Sequence, residues 1–162
     1  PQWLRFSALA DWAMERMAEH NLSDKFAMHQ GYPVFNLNMA MLAPWVWPNV
    51  AVIDGFEAME GAGPTKGDPV DWRVALAGTD ALAVDAFTAR LMGFNPDEIG
   101  YMHHCQRLGL GVADFADITT VGNVEPDAVR RQFIPHPGYR RQLKWHSETA
   151  NRLLRKAPQA NP

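Results

Sequence analysis

The sequence contains a single cysteine, Cys105, among its 162 residues. One cysteine cannot form an internal disulfide, so nothing in the sequence indicates an oxidising compartment. It also cannot supply the four thiolates that an iron–sulfur cluster normally needs, and we expect no such cluster in this chain. A cytoplasmic location is the resulting prediction.

Long apolar runs are also missing. The longest candidate, residues 39–52, is interrupted by Pro44 and Pro48, and it is shorter than the roughly 18–20 apolar residues that span a bilayer. The N-terminal residues lack the basic, apolar and small segments of a signal peptide. We therefore predict no membrane span. Because the chain does not begin with methionine, we also expect it to be a piece of a longer protein.

The formal net charge of -3 is unevenly distributed. From Asp127 to Pro162 only Asp127 and Glu148 oppose eight basic residues, so an acidic body carries a basic tail. We divide the chain into an α/β domain (residues 1–135) and a basic C-terminal helix and tail (136–162). Docking of this helix on its own domain or on another subunit is the favoured interpretation, and nucleic-acid binding is disfavoured.

Hydrophobic periodicity and turn residues predict the elements. Helices are expected at 3–19, 34–45, 81–92, 95–108, 125–133 and 139–156, and short strands, buried on both faces, at 50–53 and 72–77, with a third candidate at 117–121. Strands alternating with helices favour an α/β fold with a small mixed or mostly parallel sheet flanked by helices. Three strands are few, so missed strands, an upstream segment or another subunit are the alternatives for completing the sheet.

The segment between the first two strands, residues 56–71, is acidic and rich in glycine and proline. We interpret it as a loop at the carboxyl end of a buried strand, where open α/β sheets bind ligands. Its glycines allow close backbone approach to an anion, and its carboxylates suit a hard cation such as Mg²⁺. Its spacing fits neither a P-loop nor a dinucleotide fingerprint. The alternative is a purely structural turn. The predicted ligand-binding residues are Asp54, Gly55, Glu57, Glu60, Gly61, Gly63, Thr65 and Lys66.

Other polar residues receive weaker interpretations. Asp85 lies in an apolar helix, either solvated or paired with the acidic loop, so Asp54, Glu60 and Asp85 form the predicted metal site for Mg²⁺ or another divalent metal. His103, His104 and Cys105 are adjacent on a helix and point in different directions, which disfavours a shared metal. A surface histidine pair beside a buried thiol is the favoured interpretation. His29 is expected to be a hydrogen-bonded loop histidine rather than an acid or base.

Several ordered motifs resemble an uncharacterised family catalogued as domain of unknown function 362. The similar region runs roughly from Asn36 to Gly122. The resemblance implies a bacterial or archaeal protein that is often joined to a ferredoxin-type module, which this chain lacks, and it implies no catalytic residues. The motifs are Val52–Ile53–Asp54–Gly55, Ala58–Met59–Glu60–Gly61–Ala62–Gly63–Pro64–Thr65, Ala83–Val84–Asp85–Ala86, Arg90–Leu91–Met92–Gly93–Phe94, Tyr101 and Gly109–Leu110–Gly111.

Two functions follow as hypotheses. The first is an α/β protein whose acidic loop binds a divalent metal and a small anionic ligand. The alternative is a non-enzymatic module that binds a partner in an iron–sulfur or redox system, as a homo-oligomer or beside an upstream or partner domain. A deep polar pocket at Asp54 favours the first, and a flat surface beside exposed apolar residues favours the second. Whether the protein is an enzyme is left open.

Overall fold

The computed structural model describes residues 28–148 and 151–152. The helix predicted at 3–19 lies outside these residues. The described elements are helix α1 (Tyr32–Val46), strands β1 (Ala51–Ala62) and β2 (Lys66–Gly78), helix α2 (Ala81–Leu91), a 3-10 turn (Pro96–Glu98), helix α3 (Gly100–Arg107), a second 3-10 turn (Phe115–Asp117), and the one-turn helices α4 (Pro126–Val129) and α5 (Tyr139–Gln142). A mixed α/β fold with a small sheet and flanking helices is confirmed.

Helix α2 is fixed at its start by Asp80. One carboxylate oxygen accepts a hydrogen bond from the Ala83 amide (3.0 Å), as an N-cap residue does. The other accepts from the Val112 amide (2.9 Å), which ties a distant loop to the same point. The helix ends where Gly93 adopts a φ of 85°, and the predicted cap and stop are both confirmed.

The hydrophobic core lies between α1, α2 and α3. Its buried members include Leu37 and Ala40 of α1, Leu82 and Ala86 of α2, and Met102 of α3. Burial of these side chains is the main source of stability for such short helices. The two-stranded sheet packs over α2.

The two strands form an antiparallel hairpin. The sheet is small, as predicted, but its strands are antiparallel, so the predicted mixed or mostly parallel strand order is wrong. Only residues 63–65 connect β1 to β2, whereas a parallel pair needs a crossover of a dozen residues or more. One face of the hairpin is solvated, so the prediction of strands buried on both faces is also wrong: Val52 is 69% exposed.

The segment 56–71 is part of this hairpin and not a long loop. Its strands contain Gly61, Gly67 and Pro69, residues that usually interrupt strands, and their local geometry explains why they fit. The Gly61 amide points away from β2, because it donates to the Ile134 carbonyl. Its partner in the ladder is Gly67, and backbone amides point alternately towards and away from the neighbouring strand. The nitrogen of Pro69, two residues after Gly67, therefore lies at the outer edge of β2, where no hydrogen-bond donor is needed. A bulge at Phe56, Trp72 and Arg73, with Arg73 at φ 59°, separates the two halves of the ladder.

Four other predicted elements differ from the structure. Residues 118–121 form no strand, since Val121 is 97% exposed and has nothing to pack against. The predicted helix 95–108 is split at Ile99, whose backbone is extended. The helix predicted to reach Phe133 ends at Val129, because the amides of Arg131 and Phe133 bond to the carbonyls of Leu91 and Met92 at the end of α2 instead.

The predicted long C-terminal helix is also interrupted. It stops at Gln142, and the chain turns so that Trp145 becomes buried. The Trp145 indole donates a hydrogen bond to the Glu98 carbonyl (2.6 Å). This anchor is incompatible with a continuous helix through 145. The backbone of Glu148 and of Asn151–Arg152 is helical again, and the rest of this prediction lies outside the described residues.

Candidate functional site

Residues 131–134, which we call the strap, fasten the tip of the hairpin to α2. The Arg131 and Phe133 amides donate to the carbonyls of Leu91 (2.8 Å) and Met92 (3.0 Å) at the end of α2. On the other side, the Ile134 carbonyl accepts from the Gly61 amide (2.8 Å). The predicted anion-binding amide of Gly61 therefore already has a protein partner.

Glu60 also helps to fasten the strap to the hairpin. Its carboxylate accepts a hydrogen bond from the Ile134 amide (3.0 Å) and lies 4.0 Å from the Arg131 guanidinium. The Glu60 side chain is only 11% exposed. A carboxylate that is engaged in this way stabilises the strap and has limited freedom to bind a ligand.

Asp54 has the opposite environment. It is exposed on β1, and its carboxylate accepts the amide of the nearby Phe56 (3.0 Å). Because side chains alternate across a strand and the bulge shifts this alternation at Phe56, Asp54 and Glu57 face solvent whereas Glu60 faces the helices. The structure thus leaves Asp54 and Glu57 on the solvent side and places Glu60 on the side of the helices.

The glycines of the hairpin act mainly through their lack of a side chain. A Cβ at Gly67 would lie 2.5 Å from Met59 Cγ and 2.6 Å from the Glu60 carbonyl oxygen. A Cβ at Gly55 would lie 2.7 Å from the Trp72 ring. These close approaches are needed by the hairpin itself and require no ligand.

A small cleft opens between the hairpin tip, the end of α2 and the strap. Its volume is about 180 Å³, which is below the several hundred Å³ of a typical ligand pocket. Its lining residues are Met59, Glu60, Gly61, Gly63, Met92, Phe94, Phe133, Ile134 and His136. The cleft includes three predicted ligand-binding residues but excludes Asp54, and its walls are largely apolar. Thr65 and Lys66 lie at the exposed turn.

Asp85 finds its partner on α3 and not in the hairpin. The Tyr101 hydroxyl donates to its carboxylate (2.9 Å), and the Tyr101 amide donates to the Asn36 side chain (2.8 Å). Partial burial raises the pKa of Asp85, and the hydrogen bond from Tyr101 opposes that shift. Tyr101 belonged to the family-like pattern, but its contact with Asp85 was not predicted.

The described residues contain no group of three His, Cys, Asp or Glu side chains arranged to hold a metal ion. Asp54, Glu60 and Asp85 each bond to a different partner, as shown above. Binding of Mg²⁺ or another divalent metal stays a prediction that no observation tests, and the same is true of a small anionic ligand.

The predicted buried thiol is confirmed, but the predicted surface histidine pair is wrong for His104. His104 is buried, not on the surface, and neither of its ring nitrogens has a hydrogen-bond partner. Burial and the neighbouring His103 lower the pKa of His104 to about 4. Cys105 is a buried free thiol as predicted, and burial raises its pKa to about 11, which disfavours the nucleophilic thiolate. His29 lies 4.7 Å from the Phe35 ring.

The surface of the hairpin opposite the helices is the most distinctive site of the molecule. We call it the outer face. On its β1 side, Val50, Val52 and Phe56 are 59%, 69% and 59% exposed, with Asp54 between them. On β2 it contains the exposed Ala75 and Ala77, which pair with Asp54 and Val52. Sequence reasoning assigned this alternating pattern to a strand buried on both faces and so missed the outer face.

Arg73 borders the outer face at the bulge. Its guanidinium lies 4.9 Å from the centre of the Phe56 ring and forms a 2.8 Å ion pair with Asp71. Both charged groups are about two-thirds exposed, so the pair adds little to stability. The Arg73 guanidinium also makes a cation–π contact with the exposed Phe56 ring.

Comparison with known proteins supports the family suggested by the motifs. A family model described as "Domain of unknown function (DUF362)" matches residues 13–90. The resemblance to this family is confirmed. The matched region begins earlier than the motifs and ends within α2, so Tyr101 and Gly109–Leu110–Gly111 lie beyond it.

One similar protein is the thylakoid-associated protein sll1697 of Synechocystis sp.. It is 35% identical over 63 residues, which cover 39% of this chain and 20% of that relative. The chain thus matches about a fifth of the relative's length. No solved structure gives a significant match. Among the described residues, none of the helices is both long and apolar enough to cross a membrane.

Proposed function

We propose that the protein is a docking module that binds another polypeptide through the outer face of its hairpin. The observation that carries this proposal is the exposure of Val52 and Phe56 on a two-stranded sheet and of Val50 just before its first strand. Contiguous exposed apolar side chains mark interaction surfaces in soluble proteins. A sheet of only two strands is also marginal by itself and gains stability when its second face is covered.

The surroundings of Asp54 favour docking over catalysis. Asp54 is exposed on the outer face beside Val52 and Phe56, and the cleft at the hairpin tip does not include it. Asp85, whose raised pKa would suit an acid or base, bonds to Tyr101 in the helical layer. These features support a module that recognises a surface instead of a small substrate.

The partner proposed from the sequence is a component of an iron–sulfur or redox system. The name of the Synechocystis relative describes an association with thylakoids and no reaction, which supports a binding role. The cytoplasmic location predicted from the sequence stays a prediction.

Site-specific photo-cross-linking tests the proposal. A photoreactive phenylalanine analogue at position 56 is expected to give a defined protein adduct in cells, because Phe56 is a large exposed side chain of the outer face. The same group at position 121 is the matched control, since Val121 is 97% exposed but lies outside the face. Val52→Asp in the same chain should remove the adduct at 56. Equal adducts at 56 and 121, or none at 56, would contradict the proposal.

A further inference from the structure

The hairpin carries an unusual share of the charge. Between Ala51 and Gly78 there are five acidic and two basic residues, so the hairpin has a net charge of -3, equal to that of the whole chain. One cation, Arg73, is already paired with Asp71. Asp54 and Glu57 face solvent beside Val52 and Phe56. The outer face is therefore apolar and flanked by negative charge.

A complementary basic surface exists on the same chain. Arg140 and Arg141 of α5 and Lys144 in the following turn are all exposed. In the part of the chain that the structure describes, no ion pair involves these three side chains. Trp145 anchors the segment at Glu98, so these cations are presented from a fixed position.

We propose that the partner of the outer face is a second copy of this chain, which docks through its basic surface at Arg140, Arg141 and Lys144. This inference rests on the proposed docking function and names the partner. Two outer faces are not expected to pair directly, because each carries the exposed carboxylates of Asp54 and Glu57, and like charges opposed across an interface repel. The hairpin of one copy instead meets the basic segment of the other.

A reciprocal arrangement closes the assembly. If each copy supplies a hairpin and a basic segment, two copies satisfy all four surfaces about a two-fold axis. Burial of Val52 and Phe56 provides most of the association free energy, while the charges set the register and the association rate. The dimer is therefore expected to weaken with added salt.

Two charge-reversed variants test this arrangement by sedimentation velocity. The hairpin variant carries Asp54→Lys and Glu57→Lys, and the tail variant carries Arg140→Glu and Arg141→Glu. In each variant alone the hairpin and the basic segment acquire the same sign, so the dissociation constant should rise at least about tenfold. An equimolar mixture restores opposite signs at both contacts and should recover the dimer.

The control reverses two exposed acids outside the hairpin, Glu125→Lys and Asp127→Lys. It changes the net charge as the hairpin variant does, and its dimer should resemble the wild type. Because a misfolded variant cannot recover on mixing, the mixture separates loss of folding from loss of contact. Recovery on mixing supports the proposal.

Two results would overturn it: a wild-type chain that stays monomeric from low to several hundred micromolar, or a dimer that neither variant weakens. A monomer that still cross-links to a different protein at position 56 would overturn this inference and leave the docking function standing. Loss of both signals would remove the docking function as well.

Discussion

At the scale of single residues, Asp85 and Tyr101 show how a carboxylate is held inside the helical layer. Asp85 interrupts an apolar face of α2, and its carboxylate accepts a hydrogen bond from the hydroxyl of Tyr101 on α3, 2.9 Å away. Partial burial penalises the charged carboxylate, so the pKa of Asp85 lies above its usual value. Removing the donor should increase that penalty.

We expect Tyr101→Phe to destabilise the fold by about 1 kcal/mol at neutral pH, the cost of a lost hydrogen bond to a partly solvated charge. The folded protein binds the Asp85 proton more tightly than the unfolded chain does, so ionisation of Asp85 lowers stability as pH rises. Without the Tyr101 hydroxyl, ionisation of Asp85 lowers the free energy of unfolding further. This additional destabilisation disappears when acid protonates Asp85. The difference between variant and wild type in urea unfolding should therefore shrink on acidification.

The matched control is Tyr139→Phe. Its hydroxyl makes a longer contact of 3.4 Å with the exposed Glu98 carboxylate, so a smaller effect is expected. Equal losses of stability for the two variants, at every pH, would show that the Asp85 contact has no special role.

At the scale of elements, the hairpin depends on glycines that let its strands and side chains approach closely. The Met59 side chain packs against Gly67, and both this side chain and the Glu60 carbonyl oxygen occupy the space that a Cβ at position 67 would need. Glu60 in turn holds the strap through Ile134. A substitution at Gly67 is therefore expected to disturb the contact between the hairpin tip, the strap and α2.

Gly67→Ala should destabilise the protein by about 1–3 kcal/mol, the usual range for inserting a methyl group into a packed site. Gly122→Ala is the control, because its nearest contact would be 4.0 Å away. Thermal unfolding of both variants measures the difference. Hydrogen exchange at the Gly61 amide should also accelerate only in Gly67→Ala, since that amide bonds to the strap.

Local signals predicted the helices better than the sheet. Asp80 and Gly93 determine the ends of α2 through caps that act over a few residues, and both were recognised. The hairpin was missed because Gly61, Gly67 and Pro69 usually interrupt strands. They fit into these strands because Pro69 lies at an edge of the sheet and because the Met59 side chain packs against Gly67. Both conditions depend on residues of the neighbouring strand, which the local sequence does not reveal. Likewise, the partner of Asp85 is 16 residues away in the chain and becomes visible only after α3 packs on α2.

At the scale of the whole molecule, the C-terminal segment is joined to the helical core by Trp145. The indole ring is buried and lies 5.2 Å from the His104 ring, 5.1 Å from the His103 ring and 3.8 Å from the His146 ring. The basic surface proposed for docking is held by this cluster. We therefore expect protonation within this cluster to affect how the chain presents Arg140 and Arg141.

Stability should fall as pH drops from about 6.5 towards about 4, because His104 is neutral when folded and readily protonated when unfolded. Burial is the first cause of its lowered pKa, and electrostatic interactions with His103, Arg107 and His146 lower it further. Since its folded-state pKa is below the unfolded value, the unfolded chain takes up the extra proton. Asp85, whose pKa is raised, opposes this trend by favouring the folded state in acid.

His104→Leu removes the titrating ring and should flatten the decline of the unfolding free energy over that pH range. Leucine leaves no unsatisfied ring nitrogen in the buried site, so the variant should be at least as stable as wild type in acid. Urea unfolding at several pH values measures the slope, and His136→Ala, at an exposed imidazole, is the matched control. If the His104→Leu slope equals that of wild type, the acid sensitivity arises elsewhere and the Trp145 cluster does not couple pH to the docking surface.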